Sequence, residues 1–201
     1  MTAVDVQKRQ LRVKHRAYRA SLSPEEHAIR SRVICDRLLK LKPVQDASVV
    51  FAYWPAIDRN EIDIRPALLS LHEAGVQIAL PVIVEEATEE RSPRMIPKRF
   101  IGESDLVRNI WGLCEPSEGS RVPIESIDTV IVPGLAADRQ GHRLGYGKGF
   151  YDAFLNKTQV ATILAIYHPC LEEQLPVERH DEPVRTILTE TELLHPGAVA
   201  T

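Results

Sequence analysis

The sequence predicts an α/β fold, a single domain over residues 1–201 in which a mainly parallel central sheet is layered between flanking helices. Three observations carry that prediction. Short apolar, β-prone runs recur along the chain, helix-forming stretches separate most of them, and a glycine-rich segment follows one of the strands. Strands that alternate with helices are joined by crossovers, and crossovers build parallel sheets. With 201 residues, 44% of them apolar, the chain can bury a full-sized core without disulfide or metal staples.

The elements follow in order. Residues 4–20 lack glycine and proline, are rich in helix formers, and carry Lys8, Arg9, Arg12, Lys14, Arg16 and Arg19 against the single acid Asp5. At Ser23-Pro24-Glu25-Glu26 a second helix starts: Ser23 caps, proline suits the first helical position, and Glu26 closes a capping box. Ile29, Val33, Arg37 and Leu41, at four-residue spacing, predict its apolar stripe, with the helix ending near Pro43. Residues 47–53 read as a buried strand, and a polar loop through Asp58, Arg59 and Asn60 follows. Residues 65–74 read as a helix stopped by Gly75, 76–82 as a strand, 85–91 as an acidic loop tip, and 94–100 as an edge strand. Residues 129–132 predict another buried strand, ending at Pro133-Gly134. A loop over 141–149 leads to a helix from Phe150, and 160–167 and 185–189 supply the last strands. No internal repeat or low-complexity linker interrupts this Rossmann-like layout.

The formal net charge is −3, with 26% charged residues, a near balance that argues against a nucleic-acid binder relying on a global positive field. Cys35, Cys114 and Cys170 stand singly with no C-x-x-C pair, which makes neither a disulfide framework nor a zinc site. The first residues lack a signal peptide's apolar run, and no apolar stretch approaches the ~18 residues of a membrane span. The expectation is a cytoplasmic monomer that acts on small molecules, with neither nucleic acid nor membrane as partner.

Chemistry concentrates in residues 138–152, DRQGHRLGYGKGFYD. Four glycines in nine residues let backbone amides approach an anion closely. The segment is expected to join a strand's carboxyl end to a helix N-terminus, where amides and macrodipole favour phosphate. Arg139, Arg143 and Lys148 add mobile positive charge, and Asp152, in the helix's first turn, is a candidate Mg²⁺ ligand. A P-loop would need glycine where His142 stands and Ser or Thr where Gly149 stands, and the dinucleotide fingerprint lacks its third glycine. From the residues alone this is a phosphate-binding loop of another kind, or a turn with surface basic groups in which Asp152 satisfies a helix N-terminus.

The run over residues 132–152, VPGLAADRQGHRLGYGKGFYD, resembles the signature of the 5-formyltetrahydrofolate cyclo-ligase family, also called methenyltetrahydrofolate synthetases. Further stretches resemble the family in the same order. Lys8-Arg9-Gln10-Leu11-Arg12 is similar to its N-terminal ATP-contacting run, and Tyr53-Trp54 followed by Glu61 to its folate-pocket strand and glutamate. Trp111 with Pro116 is similar to its central W…P element, and Asp181 to its second metal-binding acid. The resemblance covers roughly residues 8–188. The chain departs from the family in a slightly longer Trp54–Glu61 stretch, in Phe150 where tyrosine is frequent, and in Cys114 and Glu115 within the W…P element.

The resemblance implies an ATP- and Mg²⁺-dependent ligase that cyclises 5-formyltetrahydrofolate to 5,10-methenyltetrahydrofolate with release of ADP and phosphate. The formyl oxygen would be phosphorylated first, which makes it a good leaving group, and such transfer needs positioning and charge neutralisation rather than a covalent nucleophile. Lys148 and Arg143 would be catalytic. ATP contacts would come from Lys8, Arg9, Gln10, Leu11, Arg12, Arg143, Leu144, Gly145, Tyr146, Gly147, Lys148, Gly149, Phe150 and Tyr151. Trp54, Glu61, Trp111 and Tyr151 would contact folate, and Asp152 and Asp181 would hold the metal.

Without the resemblance the same residues read differently. Lys8 and Arg12 are neighbours on a solvated basic helix face, Glu61 is a surface acid, Trp54 and Trp111 are core aromatics, and Asp181 forms a turn. Two rival functions remain at this stage: a sugar-phosphate isomerase or acyl-CoA-handling enzyme on a similar layout, and a folate- or RNA-binding module.

Overall fold

Two capping boxes start the N-terminal helices. In α1 (Ala3–Ser21) the Thr2 hydroxyl accepts from the Asp5 amide while the Asp5 carboxylate accepts from the Thr2 amide. In α2 (Pro24–Leu38) Ser23 and Glu26 exchange the same bonds and proline occupies the first turn, as the sequence predicts. The apolar stripe expected on α2 is corrected: Ile29 is 57% exposed and Val33 37%, whereas His27, Ser31, Ile34, Cys35 and Leu38 are buried. A strict four-residue row advances about 40° around a helix at each step and drifts off the core face. His27 and Ser31 disguise the inner face in sequence, because both bond the chain beneath. His27 Nε2 meets the Glu61 carbonyl at 2.7 Å, and Ser31 Oγ accepts from the Asp63 amide at 3.0 Å. The helix also stops at Leu38, and Pro43 lies in the first turn of a separate short helix, α3 (Lys42–Gln45).

The computed structural model describes residues 2–84 and 94–197; the acidic segment expected at 85–91 lies outside them. After α3 come β1 (Val49–Phe51), α4 (Arg65–Glu73), β2 (Gln77–Val84), β3 (Arg94–Arg99), β4 (Leu106–Arg108), β5 (Cys114–Pro116) and β6 (Thr129–Val132). Then follow β7 (Ala136–Asp138), β8 (Arg143–Leu144), α5 (Phe150–Leu155), β9 (Ala161–Ala165), β10 (Leu171–Glu172), β11 (Thr186–Leu188) and β12 (Leu193–Leu194).

Seven strands make the main sheet in the order β12-β11-β9-β6-β1-β2-β3. The neighbours from β11 to β2 run parallel, while β12 and β3 are antiparallel edges. The α/β class and the mainly parallel sheet therefore stand as predicted. Helices α2, α4 and α5 contribute Ile34, Leu38, Ala67, Leu68, Phe154 and Leu155 to the core around the sheet, where Val50, Phe51, Val130, Ile131, Ile163 and Leu164 are fully buried. Burial from both sides is why these strands read as unbroken apolar runs. Ranked along the chain, the parallel strands lie in the order 2-1-3-4-5, so the direction of winding reverses between β1 and β6. In such sheets ligands bind at the carboxyl ends of the strands flanking that reversal.

One expectation about the connection after β6 is corrected. It is not a single glycine loop: β7 and β8 form a hairpin that joins β10 in a second, three-stranded sheet. Gly141 belongs to the hairpin turn. It has φ +97°, and a Cβ there would lie 2.6 Å from the Val184 carbonyl oxygen. The buried Asp138 carboxylate organises this turn by accepting from the amides of Gln140, His142 and Leu175. The loop that faces open space is the shorter stretch 145–149, leading into the six-residue α5. Among the described residues no helix is long and apolar enough to cross a membrane.

Candidate active site

A cavity of about 600 Å³ opens where the winding reverses: Tyr53 and Trp54 reach it from beyond β1 and Pro133 from beyond β6. One wall is apolar, with Tyr53, Trp54, Ile83, Met95, Trp111 and Leu113. The facing wall is cationic, built by Lys8, Arg12 and Arg16 of α1 and by Arg143 and Lys148 beside the glycines. Carboxylates of Glu61, Asp152, Glu178 and Asp181 complete the lining.

Helical spacing explains the cationic wall. Positions 8, 12, 16 and 19 lie along one stripe of α1, so that stripe can face the glycine loop. Arg12 Nε donates to the Gly145 carbonyl at 2.9 Å, and its guanidinium lies against Gly147. Gly147 has φ +94°, and a Cβ there would come within 3.2 Å of that guanidinium. Glycine is needed here for close approach as much as for its dihedral. Lys148 is exposed at the cavity mouth.

Arg143 differs from its expected mobility. Its side chain is 4% exposed, it donates to Asp152 Oδ1 at 2.8 Å, and its guanidinium carbon lies 5.7 Å from the centre of the Tyr151 ring. Arg143 Nε and the Tyr151 hydroxyl are buried with no hydrogen-bond partner among the described residues. Burial drives the Tyr151 pKa far above the ordinary tyrosine value, so the hydroxyl keeps its proton. Leaving such donors unmet costs about 1–3 kcal/mol each. Arg139, also expected to contribute charge, pairs with Glu192 at 3.1 Å and does not line the cavity.

Glu61 is buried rather than a surface acid. Its Oε2 accepts from the Ala56 amide at 2.9 Å and its Oε1 from the Tyr146 hydroxyl. Trp54 is buried and stacked on Phe100 at 5.3 Å, whereas Trp111 is half-exposed and meets Phe150 edge-on at 6.3 Å. Trp111 sits on the turn between β4 and β5, whose backbone is capped by Asn109 Oδ1. Asn109 and the Ile83 amide both donate to Glu115.

Lys8 Nζ contacts Asp181 Oδ2 at 2.6 Å and Glu178 Oε2 at 2.8 Å. Burial opposes the ammonium charge, but the two carboxylates outweigh it and hold the lysine pKa above its ordinary value. Donor atoms of Glu178, His180 and Asp181 lie within 4.8 Å of one another. Asp152 is close by, since its Oδ1 accepts from the Glu182 amide at 3.2 Å. Carboxylate oxygens suit a hard cation such as Mg²⁺, so the donor set fits one in chemistry, with Lys8 now neutralising two of the acids.

Of the ATP-contact residues inferred from the resemblance, Lys8, Arg12 and the segment from Arg143 to Tyr151 border this cavity. Arg9, Gln10 and Leu11 do not: Gln10 and Leu11 line a separate open groove with Gln7 and Lys14. Successive residues turn about 100° around a helix, so only positions 8 and 12 share the inward face. Sequence reasoning gave no site role to Arg16, Arg19, Arg59 or Glu178. The basic row 8, 12, 16, 19 was the available signal for two of them.

The chain is a doubly wound α/β protein with a substrate-sized cavity at its switch point, and comparison with known proteins shows that it is an enzyme and of which class. Residues 4–190 match the 5-formyltetrahydrofolate cyclo-ligase family, and the chain belongs to that family of ligases. It is 31% identical over 179 residues to the 5-formyltetrahydrofolate cyclo-ligase of Escherichia coli, covering 87% of this chain and 95% of that one. The Mus musculus protein of the same name is 24% identical over 202 residues, covering 94% and 98%. The solution structure of 5,10-methenyltetrahydrofolate synthetase from Aquifex aeolicus superposes with a TM-score of 0.80 at 28% identity, over 96% of this chain and 95% of that one.

Proposed function

We propose that this chain catalyses the ATP- and Mg²⁺-dependent cyclisation of 5-formyltetrahydrofolate to 5,10-methenyltetrahydrofolate. One observation carries the reading: a single cavity joins an aromatic wall bearing a buried carboxylate, Glu61, to a cationic loop of glycines. The first surface suits a flat heterocycle with N–H donors, and the second suits a polyphosphate. Family membership supports the same pairing of substrates.

In this reading the formyl oxygen attacks the γ-phosphorus and ADP departs. The folate nitrogen at position 10 then attacks the activated carbon, loses its proton, and phosphate leaves with the former formyl oxygen. Trp54, Trp111 and Glu61 would orient the folate. Lys148, Arg143, Lys8 and Arg12 would neutralise the phosphates. Mg²⁺, held by Asp181 and Asp152 with Glu178 adjacent, would supply further charge neutralisation on the phosphate oxygens. The glycine amides of 145–149 cradle the anion without a covalent nucleophile.

The test is direct. Purified protein mixed with 5-formyltetrahydrofolate, ATP and Mg²⁺ should develop the absorbance of the methenyl product, with ADP formed in equal amount. Omitting ATP should abolish the signal. Its absence from the complete mixture rejects the proposal.

A further inference from the structure

Arg19 and Tyr146 tie the two walls of the cavity together. Arg19 is 4% exposed and lies at the inner end of the basic row of α1. Its NH1 donates to the Tyr146 hydroxyl at 2.9 Å, its NH2 donates to the Gly134 carbonyl, and its guanidinium carbon lies 6.0 Å from the centre of the Tyr167 ring. The Tyr146 hydroxyl donates in turn to Glu61 Oε1. A buried guanidinium and a buried carboxylate are thus joined through one phenol. The arrangement compensates both charges without direct contact, where either left alone would be costly. Burial and the neighbouring Glu61 raise the Tyr146 pKa above its ordinary value, so the phenol remains a donor.

The backbone reinforces the same connection. The Arg19 carbonyl accepts from the Asn60 side chain at 2.7 Å, and the Asn60 carbonyl accepts from the Tyr167 hydroxyl at 3.1 Å. Asn60 has the left-handed φ of 48°, immediately before Glu61. Tyr146 itself stands between Gly145 and Gly147, in a loop whose backbone is otherwise held by the Arg12 bond to Gly145. Arg16 lies over the Tyr146 ring at 5.7 Å.

We propose that the Arg19–Tyr146–Glu61 relay couples the two substrate sites, so that folate bound at Glu61 and nucleotide bound at the glycine loop each tighten the other. The inference rests on the proposed function, and assigns Tyr146 and Arg19 as positioning residues. A carboxylate has about four acceptor positions; Tyr146 and the Ala56 amide use two of Glu61's, one on each oxygen, and that leaves room for ligand donors. A folate that locks Glu61 also holds Tyr146, and with it the glycine loop. The conformational freedom that a phosphate must otherwise freeze is then already lost. Linkage makes the effect reciprocal.

The experiment measures the dissociation constant of 5-formyltetrahydrofolate by calorimetry, with and without saturating Mg²⁺ and a non-hydrolysable ATP analogue. In the unaltered protein the analogue should tighten folate about fivefold or more, the lower end of measured site couplings. In Tyr146→Phe, which keeps the ring, that factor should fall towards one while both ligands still bind. Arg19→Met should also lose coupling, and the double variant should lose no more than Tyr146→Phe alone, since Arg19 acts through the phenol. Near-UV circular dichroism verifies folding of each variant. If Tyr146→Phe is unfolded, Arg19→Met is read in its place, with the same loss of coupling expected. Full coupling in Tyr146→Phe, or no coupling in the unaltered protein when both ligands bind, overturns the relay and leaves the functional reading intact. Failure of either ligand to bind the unaltered protein overturns both.

Discussion

Lys148 and Arg143 carry like charge five positions apart and are held in opposite ways. Arg143 is buried, bonded to Asp152 and packed over Tyr151, while Lys148 is exposed at the mouth of the cavity between two glycines. An exposed lysine contributes little to the core, so Lys148→Ala should leave the melting temperature unchanged. If its ammonium meets the transferring phosphoryl group, kcat should fall about 10²–10³-fold, as for loss of one preorganised electrostatic contact. The apparent KM for ATP should change less, since the contact would strengthen only as charge develops. Lys148→Arg should recover part of the rate, because a planar fork replaces a compact ammonium imperfectly. Steady-state kinetics on the three proteins decide it; normal turnover of Lys148→Ala at saturating ATP would move the burden to Arg143 and the metal. The glycines and lysine of this loop were legible in sequence because spacing alone announces them. The burial of Glu61 was not, because its partners Ala56 and Tyr146 are 5 and 85 residues away, and polar neighbours in sequence suggested a surface loop.

At the scale of elements, glycines that look alike in the sequence separate by structure. Gly141 turns the β7–β8 hairpin against the Val184 carbonyl, and Gly147 faces Arg12. Placing a side chain at the left-handed position 141 should cost about 1–3 kcal/mol, lowering the melting temperature by about 2–12 °C in a chain of this size. Gly147→Ala should instead impair ATP-dependent turnover with a smaller thermal effect, since its loop can yield and Arg12 is the group displaced. Equal melting temperatures for Gly141→Ala and the unaltered protein would refute the assignment of Gly141 to the turn. Helix α1 carries a second element-scale prediction through His15, which is 1% exposed with Nε2 2.8 Å from Glu172. Burial lowers the His15 pKa, more strongly than Glu172 raises it. The unfolded chain therefore takes up the proton first, so this histidine's stabilisation is complete above about pH 6.5 and is lost as pH falls towards the lowered folded value. Melting temperatures measured between about pH 7.5 and about pH 5.5 should decline, and His15→Gln should flatten that slope. An unchanged slope in the variant would assign the acid sensitivity to other groups. Capping boxes and buried strands were readable because their signals are local. The hairpins β4–β5 and β7–β8 were not, since strands of two or three residues carry no usable period and depend on side-chain bonds from Asn109, Glu115 and Asp138.

The whole molecule shows why the α/β class was legible while the shape of the site was not. Unbroken apolar runs follow from a sheet covered on both sides, whereas the 2-1-3-4-5 strand order, which sets where the cavity opens, leaves no mark in any single segment. That order also brings the aromatic wall, from the chain after β1 and after β4, against the cationic wall from α1, β8 and the loop that follows it. Ligands that bind this cavity bridge segments distant in sequence and should oppose global unfolding. At about 100 times its dissociation constant a ligand adds about 2.7 kcal/mol to stability, a rise of about 5–10 °C in melting temperature for a protein of this length. Mg²⁺ with ATP and 5-formyltetrahydrofolate should each produce such a rise. The two should differ in their need for the metal. The acids that suit Mg²⁺, Asp152, Glu178 and Asp181, lie with Lys8 and Arg143 on the cationic side, and Glu61 is already bonded to Ala56 and Tyr146. Excess chelator should therefore remove much of the shift caused by ATP and leave the shift caused by folate in place. Without metal, ATP would bring its full charge against carboxylates that Lys8 and Arg143 offset in part. A chelator-insensitive ATP shift would show that the nucleotide needs no metal to bind here, and a folate shift abolished by chelator would put the metal on the Glu61 side of the cavity.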